Sequence, residues 1–137
     1  MNRNDLQKLA NSRIREARIL FKAGEFSGAY YLAGYAVECA LKACFARGVN
    51  RYDFPEKGRA DKVFTHDLPA LLKLSKVNVE LEAEYKGNPR FAACWDGVVQ
   101  WSEASRYSVW TKNQAEALLD AIVRRKDGVM PWIKERW

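Results

Sequence analysis

Residues 25–47, EFSGAYYLAGYAVECALKACFAR, are apolar or small at nearly every position. A surface helix carries a single apolar stripe, whereas a helix that is apolar almost all round is buried at the centre of a fold. One narrow polar stripe remains, and its spacing of three or four residues puts its members on one helix face: Ser27, Tyr31, Tyr35, Glu38 and Lys42. The sequence therefore predicts a buried central helix with one polar face.

The stretches on either side of this helix predict an all-α fold built around it. Residues 5–23 are expected to form a first helix, started by Asn4 or Asp5 and ended by Gly24. Because the link to the central helix is so short, we expect the two helices to form an antiparallel hairpin. Residues 49–65 lose the helical pattern and predict a long loop, of the kind that is often functional or disordered.

The second half of the chain predicts shorter helices. One is started by Thr65 or Asp67, and the last long helix has a candidate capping box of Asn113 and Glu116. The predicted helices cover residues 67–74, 77–86, 89–100 and 114–126, followed by a short turn opened by Pro131. The expected architecture is an up-down bundle of four to five helices with a short C-terminal helix, in a single domain over residues 1–137.

Composition narrows the class of protein without identifying it. The net charge of +6 suits a nucleotide or nucleic acid partner, although it also serves simple solubility. We find no apolar leader in MNRNDLQKL and no run of about 18 apolar residues, so we expect a cytoplasmic protein with no membrane span. Cys39, Cys44 and Cys94 lack metal-ligand spacing and the chain has one histidine, which favours buried reduced thiols and predicts neither a metal site nor a cofactor.

Three short segments of the sequence, taken in order, resemble those of a known family. They are AYYLAGYAVECALKA over 29–43, FTHDLPALL over 64–72 and WSEASRY over 101–107, and a capped C-terminal helix follows them. Together, over about Asp5 to Trp132, they resemble the HEPN family of small helical proteins, named for nucleotide binding in higher eukaryotes and prokaryotes. The resemblance implies a homodimer, a minimal nucleotidyltransferase as partner, and a role in a toxin–antitoxin or defence system.

The resemblance also implies a place for the functional site. Active HEPN proteins are metal-independent ribonucleases whose motif is an arginine, four to six residues and a histidine at the start of the last long helix. Arg106 matches the arginine, but no histidine follows it, and Lys112 or Asn113 stands where the histidine would be. The incomplete motif favours a binding protein without catalysis. Its candidate nucleotide- or RNA-binding residues are Arg106, Tyr107, Lys112, Glu38, Lys42 and Tyr35.

Two alternatives remain open. The first is a ribonuclease that uses non-standard groups, to which Arg106, Glu38, His66 or Lys112 contribute; the second is a structural adaptor whose aromatic surface docks a nucleotidyltransferase. His66 also forms a formal motif with Arg59, but it precedes the third helix, so capping or packing is the simpler interpretation. We further expect Glu38 and Arg106 to form one wall of a polar cleft.

Overall fold

The computed structural model describes residues 1–49 and 62–137, and this part of the chain is helical and contains no strand. The elements are α1 (Arg3–Lys22), α2 (Phe26–Arg47), α3 (Leu68–Leu74), α4 (Asn78–Gly87), α5 (Pro89–Val99), a 3-10 helix (Glu103–Tyr107), α6 (Lys112–Val123) and α7 (Val129–Lys134). The predicted all-α helical bundle is confirmed. None of the helices described is long and apolar enough to cross a membrane.

The central position of α2 is also confirmed. It packs against α1, α3, α6, α7 and the 3-10 helix. Ala33, Val37, Ala40 and Leu41 have no exposed surface, and even Glu38 is 1% exposed. Small side chains let neighbouring helices approach α2 closely, so apolar surface is removed from water on most of its sides.

The start of α1 differs from the prediction. Asn2, and neither Asn4 nor Asp5, is the N-cap residue. Its side chain accepts a hydrogen bond from the Asp5 backbone N–H at 2.9 Å, and Asp5 accepts one from the Asn2 N–H at 3.1 Å. Asp5 is therefore the second half of a capping box. The end of α1 is as expected, because Gly24 follows the C-cap with φ +82°, a conformation that glycine adopts without strain.

The last long helix also has different ends. Its capping box is formed by Thr111 and Gln114 in place of Asn113 and Glu116. It ends at Val123, three residues before the predicted end, because Arg124 has ψ 129° and leaves the helical conformation.

The C-terminal helix starts earlier than predicted. Gly128 caps it and Pro131 lies inside it, so α7 begins at Val129. The starts of the middle helices agree with the sequence, since Asp67 caps α3 and accepts a hydrogen bond from the Ala70 N–H at 3.0 Å. Most of the predicted long loop, residues 50–61, lies outside the described residues.

The segment between α5 and α6 is held tightly on α2. The Trp101 indole lies so close to Gly34 that a Cβ at residue 34 would be 2.2 Å from its ring. At the other end of the segment, the Trp110 ring stacks on Tyr30 with centroids 3.8 Å apart, and its backbone N–H donates to Ser27 Oγ at 2.9 Å. These anchors fix the 3-10 helix beside the polar face of α2.

Candidate functional site

A buried carboxylate forms the base of the candidate site. Glu38 is 1% exposed, and its Oε1 accepts a hydrogen bond from Lys42 Nζ at 2.8 Å. The same oxygen lies 2.9 Å from Nδ1 of His66. The other oxygen, Oε2, is buried and has no hydrogen-bond partner among the described residues. A buried charge requires compensation, and here Lys42 and His66 provide it from one side.

His66 links this carboxylate to the surface. A carboxylate only accepts hydrogen bonds, so the His66 Nδ1–H group is the donor in the hydrogen bond to Glu38. Its Nε2 lies 3.3 Å from Oε2 of Glu103, and 41% of the His66 side chain is exposed. A carboxylate behind an imidazole fixes the ring's orientation and leaves the outer nitrogen for chemistry.

Glu103 connects the imidazole to the arginine that the sequence singled out. Its Oε1 lies 3.3 Å from Nη1 of Arg106, three residues further along the 3-10 helix. The Arg106 guanidinium lies 4.8 Å from the centre of the Tyr107 ring. Interactions with Tyr107 first, and then with Glu103 and Tyr31, raise the pKa of Arg106, so that it remains a cation.

Three separate parts of the chain supply these groups. The central helix α2 provides the buried carboxylate, the residues before α3 provide the imidazole, and the 3-10 helix provides the outer carboxylate and the guanidinium. We call the resulting chain of contacts the polar network: Lys42, Glu38, His66, Glu103 and Arg106. Nitrogen-bearing side chains and carboxylates alternate along it, and its outer end is open to solvent.

The structure brings some predicted site residues together and leaves others apart. Glu38, Lys42 and Arg106 belong to the network, but Glu38 reaches Arg106 only through His66 and Glu103, not by direct contact. Tyr35 is half-buried on the same face of α2, and burial first, then the neighbouring Cys39 and Glu38, raises its pKa.

The remaining two candidates are exposed. Tyr107 is 78% exposed beside Arg106. Lys112 is the first residue of α6 and forms no ion pair within the described part of the chain, and no hydrogen bond there ties it to the network.

Sequence reasoning missed the positions of two members of the network. His66 does not cap α3, because its neighbour Asp67 does so, which leaves the imidazole available for Glu38. Glu103 was not singled out at all. Glu103 lies three residues before Arg106, and residues i and i+3 on a helical turn are neighbours. This spacing could have predicted the ion pair between them.

An open cleft of about 1020 Å³ adjoins the inner end of the network. Its lining includes Tyr35, Glu38 and Lys42, together with Arg3 and Arg47. Among residues 1–49 and 62–137 no group of three or more histidine, cysteine or acidic side chains is arranged to hold a metal ion.

Comparison with known proteins agrees with the resemblance seen in the sequence. The family model described as HEPN domain matches residues 4–124. No curated protein and no solved structure matches the chain significantly. Because the match covers most of the chain and includes α2, the 3-10 helix and α6, the chain belongs to the HEPN domain family.

Proposed function

We propose that this protein is a metal-independent ribonuclease in which His66 takes the role of the histidine missing after Arg106. One observation carries the proposal: a single carboxylate, that of Glu103, lies between His66 Nε2 and Arg106 Nη1, 3.3 Å from each. An imidazole and a guanidinium that converge on one anion are the two groups that phosphodiester cleavage needs.

The Glu103 carboxylate occupies the position in which a phosphate is expected. It offers one oxygen to the imidazole and the other to the guanidinium, as two oxygens of an RNA phosphate would. Glu103 is 34% exposed at its side chain and belongs to a short 3-10 turn, so it can rotate towards solvent when a phosphate arrives. Arginine is well suited to bind the incoming group, because its donors match phosphate geometry.

The proposed reaction uses the ribose hydroxyl as its nucleophile. His66 Nε2 accepts the proton from the 2′-hydroxyl, and the 2′-oxygen then forms a bond to phosphorus. The bond from phosphorus to the 5′-oxygen breaks, and the 5′-oxygen takes a proton from water. His66 then gives its proton to the hydroxide that remains and returns to the neutral imidazole. Arg106 stabilises the extra negative charge on the phosphate oxygens in the transition state, and Glu38 holds the imidazole and stabilises its positive charge. The products are a 2′,3′-cyclic phosphate and a 5′-hydroxyl.

The remaining predicted residues and partners fit around this reaction. Tyr107 and Lys112 would contact the RNA outside the scissile phosphate, and Tyr35 and Lys42 would contact it at the cleft. Val109 is 92% exposed, which supports a second copy of the chain or a nucleotidyltransferase as a cover for this apolar residue. Membership of the family supports a homodimer. It also supports a role in a toxin–antitoxin or defence system.

The test is RNA cleavage by purified protein in EDTA, comparing the wild type with Arg106→Gln. A matched control is Arg90→Gln, since Arg90 is also exposed and forms no ion pair among the described residues. We expect cleavage by the wild type and the control, and a loss of about 100-fold or more in Arg106→Gln. Equal cleavage by both variants would contradict the proposal.

Two other outcomes would select the alternatives. RNA or nucleotide binding without any cleavage would leave a non-catalytic binding protein, with Glu103 as a permanent partner of Arg106. Neither binding nor cleavage would leave the adaptor for a nucleotidyltransferase, which predicts a complex that forms without nucleic acid.

A further inference from the structure

A second surface of the protein has an unusual distribution of charge. A groove of about 540 Å³ lies between the exposed side of α1 and the helix α7. Among the described residues, four cations line it, Arg15, Arg18 and Lys22 from α1 and Lys134 from α7, and none of the lining residues described is acidic. We call it the basic groove. None of the polar network lines it.

The four cations are not neutralised by neighbours. Several arginines elsewhere on the surface pair with acids, as Arg136 does with Glu80. Within the described residues, none of the groove cations forms an ion pair; Arg15 donates to Ser12 Oγ at 3.3 Å, and the Lys134 ammonium lies 5.5 Å from the centre of the Trp137 ring. Unpaired charges of one sign around a concave apolar wall produce a strong local potential that attracts the opposite charge.

The arrangement of these cations favours an extended anion. Arg15, Arg18 and Lys22 are spaced by three and four residues, so they share one face along roughly 10 Å of helix. Lys134 approaches from the opposite wall of the groove. A small ion would contact one or two of these groups, whereas a chain of phosphates can contact all four. The exposed Ile19, 60% accessible in the lining, offers apolar contact to sugars or bases.

We infer that the basic groove binds the phosphodiester backbone of a single-stranded nucleic acid, as a contact separate from the catalytic one. The choice of RNA as its ligand rests on the proposed function, since RNA is the substrate there. The four cations would bind the backbone of single-stranded DNA as well, because contacts with phosphate do not distinguish one sequence or sugar from another.

The test measures binding and not cleavage, so its result is independent of the catalytic proposal. The probe is a fluorescein-labelled 20-nucleotide 2′-O-methyl RNA, which has no 2′-hydroxyl and cannot be cleaved by the proposed reaction; single-stranded DNA of the same length is the second probe. Fluorescence anisotropy gives the Kd between 50 and 200 mM salt. The groove variant is Arg15→Gln/Arg18→Gln/Lys22→Gln. The control variant, Lys73→Gln/Lys86→Gln/Arg90→Gln, removes the same charge from exposed residues outside the groove.

We expect the groove variant to bind more weakly and with less dependence on salt. Removing three phosphate contacts from a single strand lowers the slope of log Kd against log salt by about 2. The control variant should stay within about twofold of the wild type at every salt concentration. Equal losses in the two variants would show that net charge alone attracts RNA, and would overturn the inference.

A second variant covers the possibility that the triple substitution disturbs folding. Lys134→Gln changes only the α7 wall, and it should lower the salt slope by about 0.7. An unchanged salt slope in Lys134→Gln would overturn the inference, even if the triple variant fails to fold or the wild type cleaves RNA. Normal groove-dependent binding without cleavage would instead contradict only the proposed ribonuclease.

Discussion

Substituting Gly34 by alanine tests how the 3-10 helix is held in place. An added Cβ would lie 2.2 Å from the Trp101 ring, whereas ordinary contacts are 3.4–4 Å. The indole must therefore move by roughly 1.2 Å or more, or α2 must shift. Trp101 is 3% exposed and lies against Tyr31, with ring centroids 6.0 Å apart, so a movement of the indole disturbs existing packing.

The cost can be set against the gain that alanine brings to a helix. Overpacking of a tight core site costs about 3 kcal/mol, and replacing glycine by alanine inside a helix returns about 1 kcal/mol. The free energy of unfolding should therefore fall by about 2 kcal/mol. For a chain of this size the Tm should fall by about 8 °C. Cleavage of RNA should fall as well, because Trp101 begins the segment that carries Glu103 and Arg106.

Thermal unfolding followed by circular dichroism measures the effect, with Gly97→Ala as the matched control. Gly97 lies inside α5, and the contact that its added Cβ would make with the described residues is an ordinary one, with Ala121 Cβ at 4.0 Å. The control should gain about 0.5–1 kcal/mol in the free energy of unfolding. A Gly34→Ala protein as stable as the wild type, alongside a stabilised control, would refute the close approach of Trp101. In the double variant Gly34→Ala/Trp101→Leu the two losses should not add, because the smaller side chain removes the overlap.

Three further predictions concern the cap of α1, the buried carboxylate and the thiols. Asn2→Ala should lower the free energy of unfolding by about 1 kcal/mol in urea titrations, whereas Asn4→Ala should change it little, since only Asn2 is the cap; equal effects would contradict the capping box. Glu38→Ala should lower the free energy of unfolding by about 2 kcal/mol, because Lys42 and His66 lose their shared acceptor. The more exposed Glu103→Ala should lower it by less than about 0.5 kcal/mol. Thermal melts in which Glu103→Ala is the less stable of the two would count against the network. Burial raises the pKa of Cys39 and Cys44 from 9.0 to about 11, so the folded chain keeps these protons where the unfolded chain loses them. Stability is therefore fully present up to about pH 8 and should fall by about 1 kcal/mol for each thiol between pH 8 and 10, and Cys39→Ala/Cys44→Ala should reduce that slope.

The fold was predictable because its main signal is local. Residues 26–47 are apolar almost all round, and such a helix can be stable only at the centre of a bundle. Helix ends were less predictable, because several residues near each end are able to cap. In the structure, Asn2 forms its capping box with Asp5, and Thr111 forms one with Gln114. Asn4 with Gln7, and Asn113 with Glu116, have the same spacing, so the sequence alone does not distinguish the true caps from these neighbours.

The site was predictable only in part, because its decisive contacts are between distant residues. The polar face of α2 identified Glu38 and Lys42, and the family motif identified Arg106. The contact of His66 with Glu38 joins residues 28 positions apart, and nothing in the local pattern around His66 specifies it. Asp67 next to it caps a helix, so the local sequence is explained as a helix start without any contact of the imidazole with a distant residue.

The most direct test of the account is the rate of RNA cleavage by His66→Asn in EDTA, with the ends of the fragments identified by mass spectrometry. Asparagine retains hydrogen bonding towards Glu38 but cannot accept and release a proton. We predict that the wild type leaves 2′,3′-cyclic phosphate and 5′-hydroxyl ends, and that His66→Asn is slower by about 100-fold or more while still binding 2′-O-methyl RNA. Cleavage by His66→Asn at the wild-type rate, or no cleavage by the wild type, would contradict the central claim.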